Sequence, residues 1–329
     1  MKGKVLITAR SFRRIPGPHI EEWHKEGYKI VVPPYDRPLE AEELIEFIRD
    51  VDAAILGLDK ATREVLVTAS NLKVISRHGV GVDNIDLKTA SERGIVVTIT
   101  PGANSIAVAE LTITLIFALA RNIPAHDRMV RGGKWGRLEG IEIMGSTLGL
   151  IGAGKIGREV GTRAHALGMR ILFTDPLRPP EEWLEKTQAK QVSLEDLLSS
   201  SDFISLHLPL NDETRNMLDS ARLSLLKPSA FVINTARGGL LDEKALFEAL
   251  KNRRIAGAAI DTFNLEPPDP SQFAELDNLI ATPHIGSATY QTTLRMGWLA
   301  TQNALSVLKG ERPEHVVNPE VYWGAKGWK

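Results

Sequence analysis

The sequence predicts an α/β protein built from two doubly wound parallel sheets. Three observations predict it. Short runs rich in β-branched residues alternate with polar–apolar helical stretches along almost the whole chain. The chain has 329 residues, long for one core and comfortable for two. A Gly-x-Gly-x-x-Gly turn at 152–157 stands nearly halfway along the chain, so one complete unit precedes it.

Composition narrows the class. With 43% hydrophobic and 25% charged residues this is an ordinary soluble balance. A formal net charge of −1 offers no electrostatic footprint for nucleic acid. The absence of cysteine excludes disulfides, thiolate catalysis and cysteine-ligated metal, and no metal is expected at the site. The first apolar run, VLIT at 5–8, is too short for a signal-peptide core. The segment SIAVAELTITLIFALA at 105–120 contains Glu110 and ends at Arg121. It falls short of the roughly 20 largely uncharged residues that a membrane span needs. A buried interdomain helix and a cytoplasmic protein are the expectation.

The first series of strands is VLIT (5–8), KIVV (29–32), AAILG (53–57), LKVIS (72–76) and IVVTI (95–99). Helical patterns such as EAEELIEFIRD (40–50) and LKTASERG (87–94) lie between them, the second stopping at Gly94. These strands complete a first sheet by about residue 100. The second series is TLGLIG (147–152), RILFTD (170–175), DFISLHL (202–208), AFVINT (230–235), AGAAID (256–261) and LIATP (279–283). Six strands suit a Rossmann sheet. A long helix is expected from about Ser287 to Lys309, followed by HVVNP and a tail holding Trp323 and Trp328. The stretch 123–146 shows no clear strand or long helix, yet carries Met129, Trp135, Leu138, Ile141, Ile143 and Met144. Such an arm either wraps its own domain or packs on a second subunit.

The glycine turn has the context that makes it informative. It follows the strand TLGLIG and opens the helix KIGREVGTRAHALG. Gly152 allows the tight turn, Gly154 lets backbone approach a pyrophosphate, and Gly157 lets helix pack on strand. The free N–H groups of the helix start favour phosphate. Asp175 closes the next strand, where a carboxylate meets ribose hydroxyls and repels a 2′-phosphate. NAD is therefore expected over NADP, with Arg178 nearby as the opposing signal.

Three polar groups stand just past strand ends, where open α/β sheets bind ligands. Arg237 follows AFVINT, Asp261 and Glu266 follow AGAAID, and His284 follows LIAT. Taken singly, each has a dull explanation as a solvated charge or a hydrogen-bonded imidazole. Together they suit hydride transfer. His284 is the acid–base group because imidazole titrates near neutrality. Glu266 would steady the imidazolium, and Arg237 would grip a substrate carboxylate and its neighbouring oxygen.

The segments SRHGVGVDNID (76–86), TPGANSIAVAELT (100–112), LGLIGAGKIGREV (148–160), INTARGGLLDE (233–243) and TPHIGSAT (282–289) give the chain its resemblance. In this order and spacing it resembles the D-isomer-specific 2-hydroxyacid dehydrogenase family, nearest to its short phosphoglycerate dehydrogenases. The resemblance implies a flavodoxin-like substrate domain, 1–103 plus 286–329, with an inserted Rossmann NAD-binding domain, 104–285. It implies the catalytic trio Arg237, Glu266 and His284. Substrate would be held by Arg77, Gly79, Val80 and Asn104 besides Arg237 and His284, with Ser105 beside them. NAD would meet Gly152, Gly154, Lys155, Ile156, Gly157, Asp175, His207, Pro209, Thr235, Ala236, Asp261 and Gly286.

The partner implied is a small 2-hydroxy or 2-keto acid, and the assembly a homodimer formed through the NAD-binding domain. The substrate implied is the D-3-phosphoglycerate/3-phosphohydroxypyruvate pair of serine biosynthesis, with Arg77 on the phosphate. Arg131, Lys134 and Arg137 are further candidate cations. His78 departs from the small residue expected beside Arg77. Glyoxylate, hydroxypyruvate or another 2-keto acid is the alternative substrate. A formate dehydrogenase fits poorly because it lacks the Glu–His pairing. A corepressor-like, NAD-gated binding protein is the alternative from another class.

Overall fold

The computed structural model describes residues 2–322; the tail with Trp323 and Trp328 lies outside them. The chain divides into two compact units, Met1–Asn104 with Ala288–Lys329, and Ser105–Ser287.

In the first unit the strands are β1 (Gly3–Ile7), β2 (Tyr28–Val31), β3 (Ala53–Leu56), β4 (Val74–Arg77) and β5 (Val96–Thr98). They form a parallel sheet in the order β2-β1-β3-β4-β5, the flavodoxin-like winding. Central strands of such a sheet are covered on both faces, which is why AAIL in β3 and VIS in β4 carry no polar alternation and are wholly buried. One face packs Leu44, Ile48, Leu66 and Ile75. The other packs Phe12, Trp23, Ala300 and Ala304, the last two from the helix Tyr290–Leu308. That helix starts where Thr289 accepts the Thr292 N–H at 3.2 Å, three residues later than the apolar pattern predicts.

The second unit holds β6 (Thr147–Ile151), β7 (Arg170–Thr174), β8 (Lys190–Gln191), β9 (Phe203–Leu206), β10 (Phe231–Asn234), β11 (Gly257–Ile260) and β12 (Leu279–Ala281). Among the described residues they form one parallel sheet, ordered β12-β11-β10-β9-β6-β7-β8. The sequence predicts six of these strands. The seventh, β8, is a two-residue exposed edge strand, Lys190–Gln191, with no apolar signal to read. The chain reverses direction of winding between β6 and β9, and the glycine turn leaves β6 at that switch point.

The helix Ser105–Ala120 is a core element of this unit. Ala109, Leu115, Ile116 and Leu119 pack with Leu148, Leu150 and Val160, the leucine, isoleucine and valine side chains contributing about 1.5–3 kcal/mol each on removal from water. No single described helix is long and apolar enough to cross a membrane; the helix Ser105–Ala120 meets its neighbour at 63°. That neighbour, Ile123–Arg131, corrects the expectation of an unstructured arm. It begins with a proline in its first turn, but none of its residues is buried, so its sequence lacks a stripe facing this chain's own core.

Candidate active site

The glycine turn has the geometry its residues require. Gly152 has φ +99°, and a Cβ there would stand 2.6 Å from the His207 carbonyl oxygen. A Cβ on Gly157 would lie 2.1 Å from the Gly152 carbonyl, so only glycine lets the helix Lys155–Ala166 start against the strand end. Gly154 is different: a Cβ there meets nothing within 4 Å. Protein packing does not demand glycine at that N-cap. The helix starts directly after it, and the N–H groups of a helix's first turn lack partners within the helix, which is what a close-approaching pyrophosphate needs. The residues therefore fit a dinucleotide.

The flanking groups are fixed as well. Asp175, just past β7, accepts the Ala153 N–H at 2.7 Å and the Leu177 N–H at 2.8 Å, which pins its carboxylate beside the turn. Arg178 is exposed and paired with Glu181 at 2.9 Å. His207 shares a 2.9 Å hydrogen bond between Nε2 and the Ser205 hydroxyl. Its buried Nδ1 has no partner among the described residues, and burial pushes the ring down to about 3. It is a neutral imidazole at physiological pH. Thr235 is buried with its hydroxyl 2.9 Å from that of Thr112, and Pro209 accepts the Thr214 hydroxyl through its carbonyl at 2.7 Å. Ala236 donates its N–H to Asn234 Oδ1 at 3.0 Å.

Each member of the trio sits on a loop at a strand's C-terminal end. Arg237 follows β10 in extended backbone and opens the short turn Gly238–Leu240. The Asn234 side chain staples this bend, accepting from Ala236 and donating to the Arg237 carbonyl at 2.7 Å. Arg237 Nη1 also donates to the Ala236 carbonyl at 2.7 Å. Glu266 follows β11 and accepts the Phe263 N–H at 3.1 Å. His284 follows β12 with φ +53°, a left-handed conformation that costs a non-glycine residue about 1–3 kcal/mol.

The structure brings Glu266 and His284 together. The two carboxylate oxygens lie 2.9 and 3.1 Å from His284 Nδ1. A carboxylate only accepts, so this contact puts the proton on Nδ1 in the neutral ring and leaves Nε2 free of that bond. Burial pushes the Glu266 carboxyl up. The hydrogen bond and charge of His284, the Phe263 N–H and the charge of Arg237 outweigh it, and Glu266 ends below its ordinary value. A Glu266 carboxyl held below its ordinary value favours the charged form of its partner ring.

Asp261 is wholly buried beside this pair. One carboxylate oxygen accepts the Thr282 hydroxyl at 2.6 Å and the Ile285 N–H at 2.8 Å; the other accepts the Gly286 N–H at 2.8 Å. Its carbonyl accepts the His284 N–H at 2.9 Å.

Arg77, His78, Gly79, Val80 and Asn104 belong to the first unit, and Arg131, Lys134 and Arg137 to the second. Arg77 ends β4 and is buried, donating to the carbonyls of Gly81 at 3.0 Å, His78 at 3.0 Å and Leu56 at 3.3 Å. His78 is buried too; burial first and the Arg77 charge second push it down to about 3. The Gly79 N–H donates to the Arg77 carbonyl at 2.9 Å, and its carbonyl is held by both donors of Thr100. Val80, the next residue, lies on the same bend. Asn104 is buried, and its Oδ1 has no partner among the described residues. Arg131, Lys134 and Arg137 are exposed, Arg131 being paired with Asp127 at 2.8 Å.

Three structural supports escape the sequence reading: Asn234, Glu243 and Thr282. Asn234 carried a signal, since an asparagine ending a strand is a turn former that bonds its own downstream backbone. Glu243 and Thr282 carried none; a glutamate in a helix's first turn reads as a dipole partner.

A phosphate-cradling turn at a topological switch point, with an Arg, a Glu–His pair and strand-end loops around it, defines a nucleotide-dependent oxidoreductase. The family described as D-isomer specific 2-hydroxyacid dehydrogenase, NAD binding domain, matches residues 113–286. The chain is 41% identical to the glyoxylate reductase of Thermococcus litoralis, covering 98% of each chain. It is 45% identical to the D-3-phosphoglycerate dehydrogenase of Methanocaldococcus jannaschii over 85% of this chain and 54% of that protein, so it spans about half that relative's length. The crystal structure of D-lactate dehydrogenase from Aquifex aeolicus, complexed with NAD and lactic acid, matches with a TM-score of 0.84 at 28% identity, covering 95% of this chain and 99% of that one. The chain belongs to the D-isomer-specific 2-hydroxyacid dehydrogenase family, and its second unit is that family's NAD-binding domain.

Proposed function

We propose that this chain is an NAD-dependent reductase of small, unphosphorylated 2-keto acids, glyoxylate and hydroxypyruvate above 3-phosphohydroxypyruvate. The observation that carries the chemistry is the pairing of His284 Nδ1 with Glu266 at 2.9 Å. When bound as NADH, the cofactor supplies the hydride that the carbonyl carbon receives. His284 delivers a proton from Nε2 to the carbonyl oxygen, and Glu266 holds the ring and stabilises its charged form. Arg237 grips the substrate carboxylate and the oxygen on which charge develops. The resemblance also assigns Gly79, Val80 and Asn104 to the substrate; within the first unit, Asn104 Oδ1 has no partner among the described residues. In the reverse direction the same atoms act as base and oxidise the D-2-hydroxy acid. Gly152, Gly154, Lys155, Ile156 and Gly157 take the pyrophosphate and Asp175 the ribose. Pro209, Thr235, Ala236 and Gly286 line the remaining path of the cofactor.

The substrate preference rests on Arg77. Arg77, a residue only 6% exposed, donates to three main-chain carbonyls and so braces the end of β4 and the loop that follows it. Turning it to a phosphate would break these bonds; the Leu56 carbonyl would keep the His78 N–H, but the other two would lose the Arg77 donor, and a buried acceptor left unpaired costs about 1–3 kcal/mol. The full-length match to a protein named glyoxylate reductase agrees with this reading.

The same reading makes the protein a homodimer through its NAD-binding unit. Val130, Trp135, Leu138, Ile141 and Met144 are exposed in one segment, Trp135 at 89% and Met144 at 76%. Clustered apolar exposure of this kind marks an association surface. Light scattering should give twice the monomer mass, and Trp135→Glu should lower it. For the substrate, initial rates of NADH oxidation with glyoxylate, hydroxypyruvate and 3-phosphohydroxypyruvate decide. A higher kcat/KM for the unphosphorylated acids is expected. Preference for the phosphorylated acid would return the chain to the phosphoglycerate dehydrogenases. Tight NADH binding without turnover of any acid would favour a non-enzymatic binding protein.

A further inference from the structure

The loop that carries Glu266 to His284 is held by a second carboxylate. Glu243, in the first turn of the helix Glu243–Lys251, accepts the Asn264 N–H at 2.6 Å. The neighbouring amide, Phe263 N–H, is taken by Glu266 itself at 3.1 Å. Two adjacent main-chain donors are thus claimed by two acids. The same peptide is pressed from another side by Gly238, where a Cβ would lie 2.1 Å from the Phe263 carbonyl carbon and 2.4 Å from Asn264 N. Helix capping does not account for Glu243, because Asp242 already caps this helix by accepting the Ala245 N–H at 3.0 Å.

We propose that Glu243 is a positioning residue for the reaction: it fixes the Phe263–Glu266 loop so that the Glu266 carboxylate meets His284 Nδ1. This rests on the assignment of His284 and Glu266 as the acid–base pair. Burial pushes the Glu243 carboxyl up, and the nearby Glu266 adds to this against the Asn264 N–H. The group is thus partly withdrawn from solvent and close enough to Glu266 to feel its charge. Its side chain serves as an acceptor, so glutamine should replace it and alanine should not.

The test compares Glu243→Ala and Glu243→Gln with wild type and His284→Ala, using glyoxylate and NADH. Glu243→Ala should lower kcat about 10- to 100-fold, the scale of a small misplacement of catalytic groups. KM for glyoxylate, the Kd for NADH and the melting temperature should stay near wild type. Hydrogen exchange of the 262–268 amides should accelerate in Glu243→Ala. Glu243→Gln should restore both the exchange protection and kcat to within about threefold of wild type. A Glu243→Ala kcat within twofold of wild type would overturn the proposal. So would a loss of kcat shared with NADH binding and melting temperature and not rescued by glutamine, which would mark a merely structural residue. If His284→Ala keeps wild-type turnover, the acid–base reading itself fails, and the Glu243 proposal falls with it.

Discussion

The Asp261 carboxylate and the His284 backbone form one clamp. Asp261 binds the hydroxyl of Thr282 on one side of His284 and the N–H groups of Ile285 and Gly286 on the other, while its carbonyl takes the His284 N–H. The His284 imidazole, the proposed acid–base group, stands on left-handed backbone, φ +53°, which persists only where surroundings over-determine it. The strain is thus met by four hydrogen bonds from a single buried residue. The resemblance in sequence assigns Asp261 to NAD; the hydrogen bonds give its carboxylate work within the protein as well.

Asp261→Asn separates the two jobs. An amide cannot accept from all three donors, and one of its nitrogen-bound protons would face another donor. Leaving buried N–H groups unpaired should cost about 1–3 kcal/mol of stability each. The expected outcome is a kcat reduced more than the NADH Kd is raised, measured by initial rates and fluorescence titration. A variant impaired only in NADH binding would restrict Asp261 to the cofactor.

Asp175 should set the choice between NAD and NADP. Its carboxylate is fixed at the glycine turn by two amides, and the nearby Arg178 is engaged with Glu181. Asp175→Ala should narrow the kcat/KM ratio of NADH to NADPH by removing the charge that repels a 2′-phosphate. An unchanged ratio would take Asp175 out of the ribose site.

Two buried histidines predict acid sensitivity. His78 in the first unit and His207 in the second are both pushed down to about 3 from 6.5, chiefly by burial. Below 6.5 the unfolded chain binds protons that the folded chain refuses. Stability is therefore complete above that pH and falls as pH drops from 6.5 toward 3. Each histidine contributes a slope of about 1.4 kcal/mol per pH unit. Urea midpoints at descending pH should fall, and His78→Gln should flatten the trend for the first unit. A midpoint constant between neutral pH and pH 5 would contradict this.

The sequence made much of this legible for identifiable reasons. Parallel strands covered on both faces are continuous apolar runs, so β3, β6 and β9 could be read directly. Gly152 and Gly157 announced the turn because no other residue fits those backbones. Arg237, Glu266 and His284 could be singled out because each follows a strand end. What stayed hidden depends on neighbours met only in three dimensions. β8 is too short to have a pattern. The helix Ile123–Arg131 buries none of its residues within this chain. Glu243 and Asn264 are 21 residues apart, and the carbonyls that occupy Arg77 are invisible in a string of letters that suggests a phosphate anchor.

His284, held by Glu266, is proposed to move the proton. The most direct measurement is kcat of His284→Ala with glyoxylate at saturating NADH, alongside the NADH Kd of the same variant. If His284 moves the proton, kcat should fall about 10²- to 10⁴-fold with NADH binding essentially retained. A fall of less than tenfold would contradict it and assign the proton to another group.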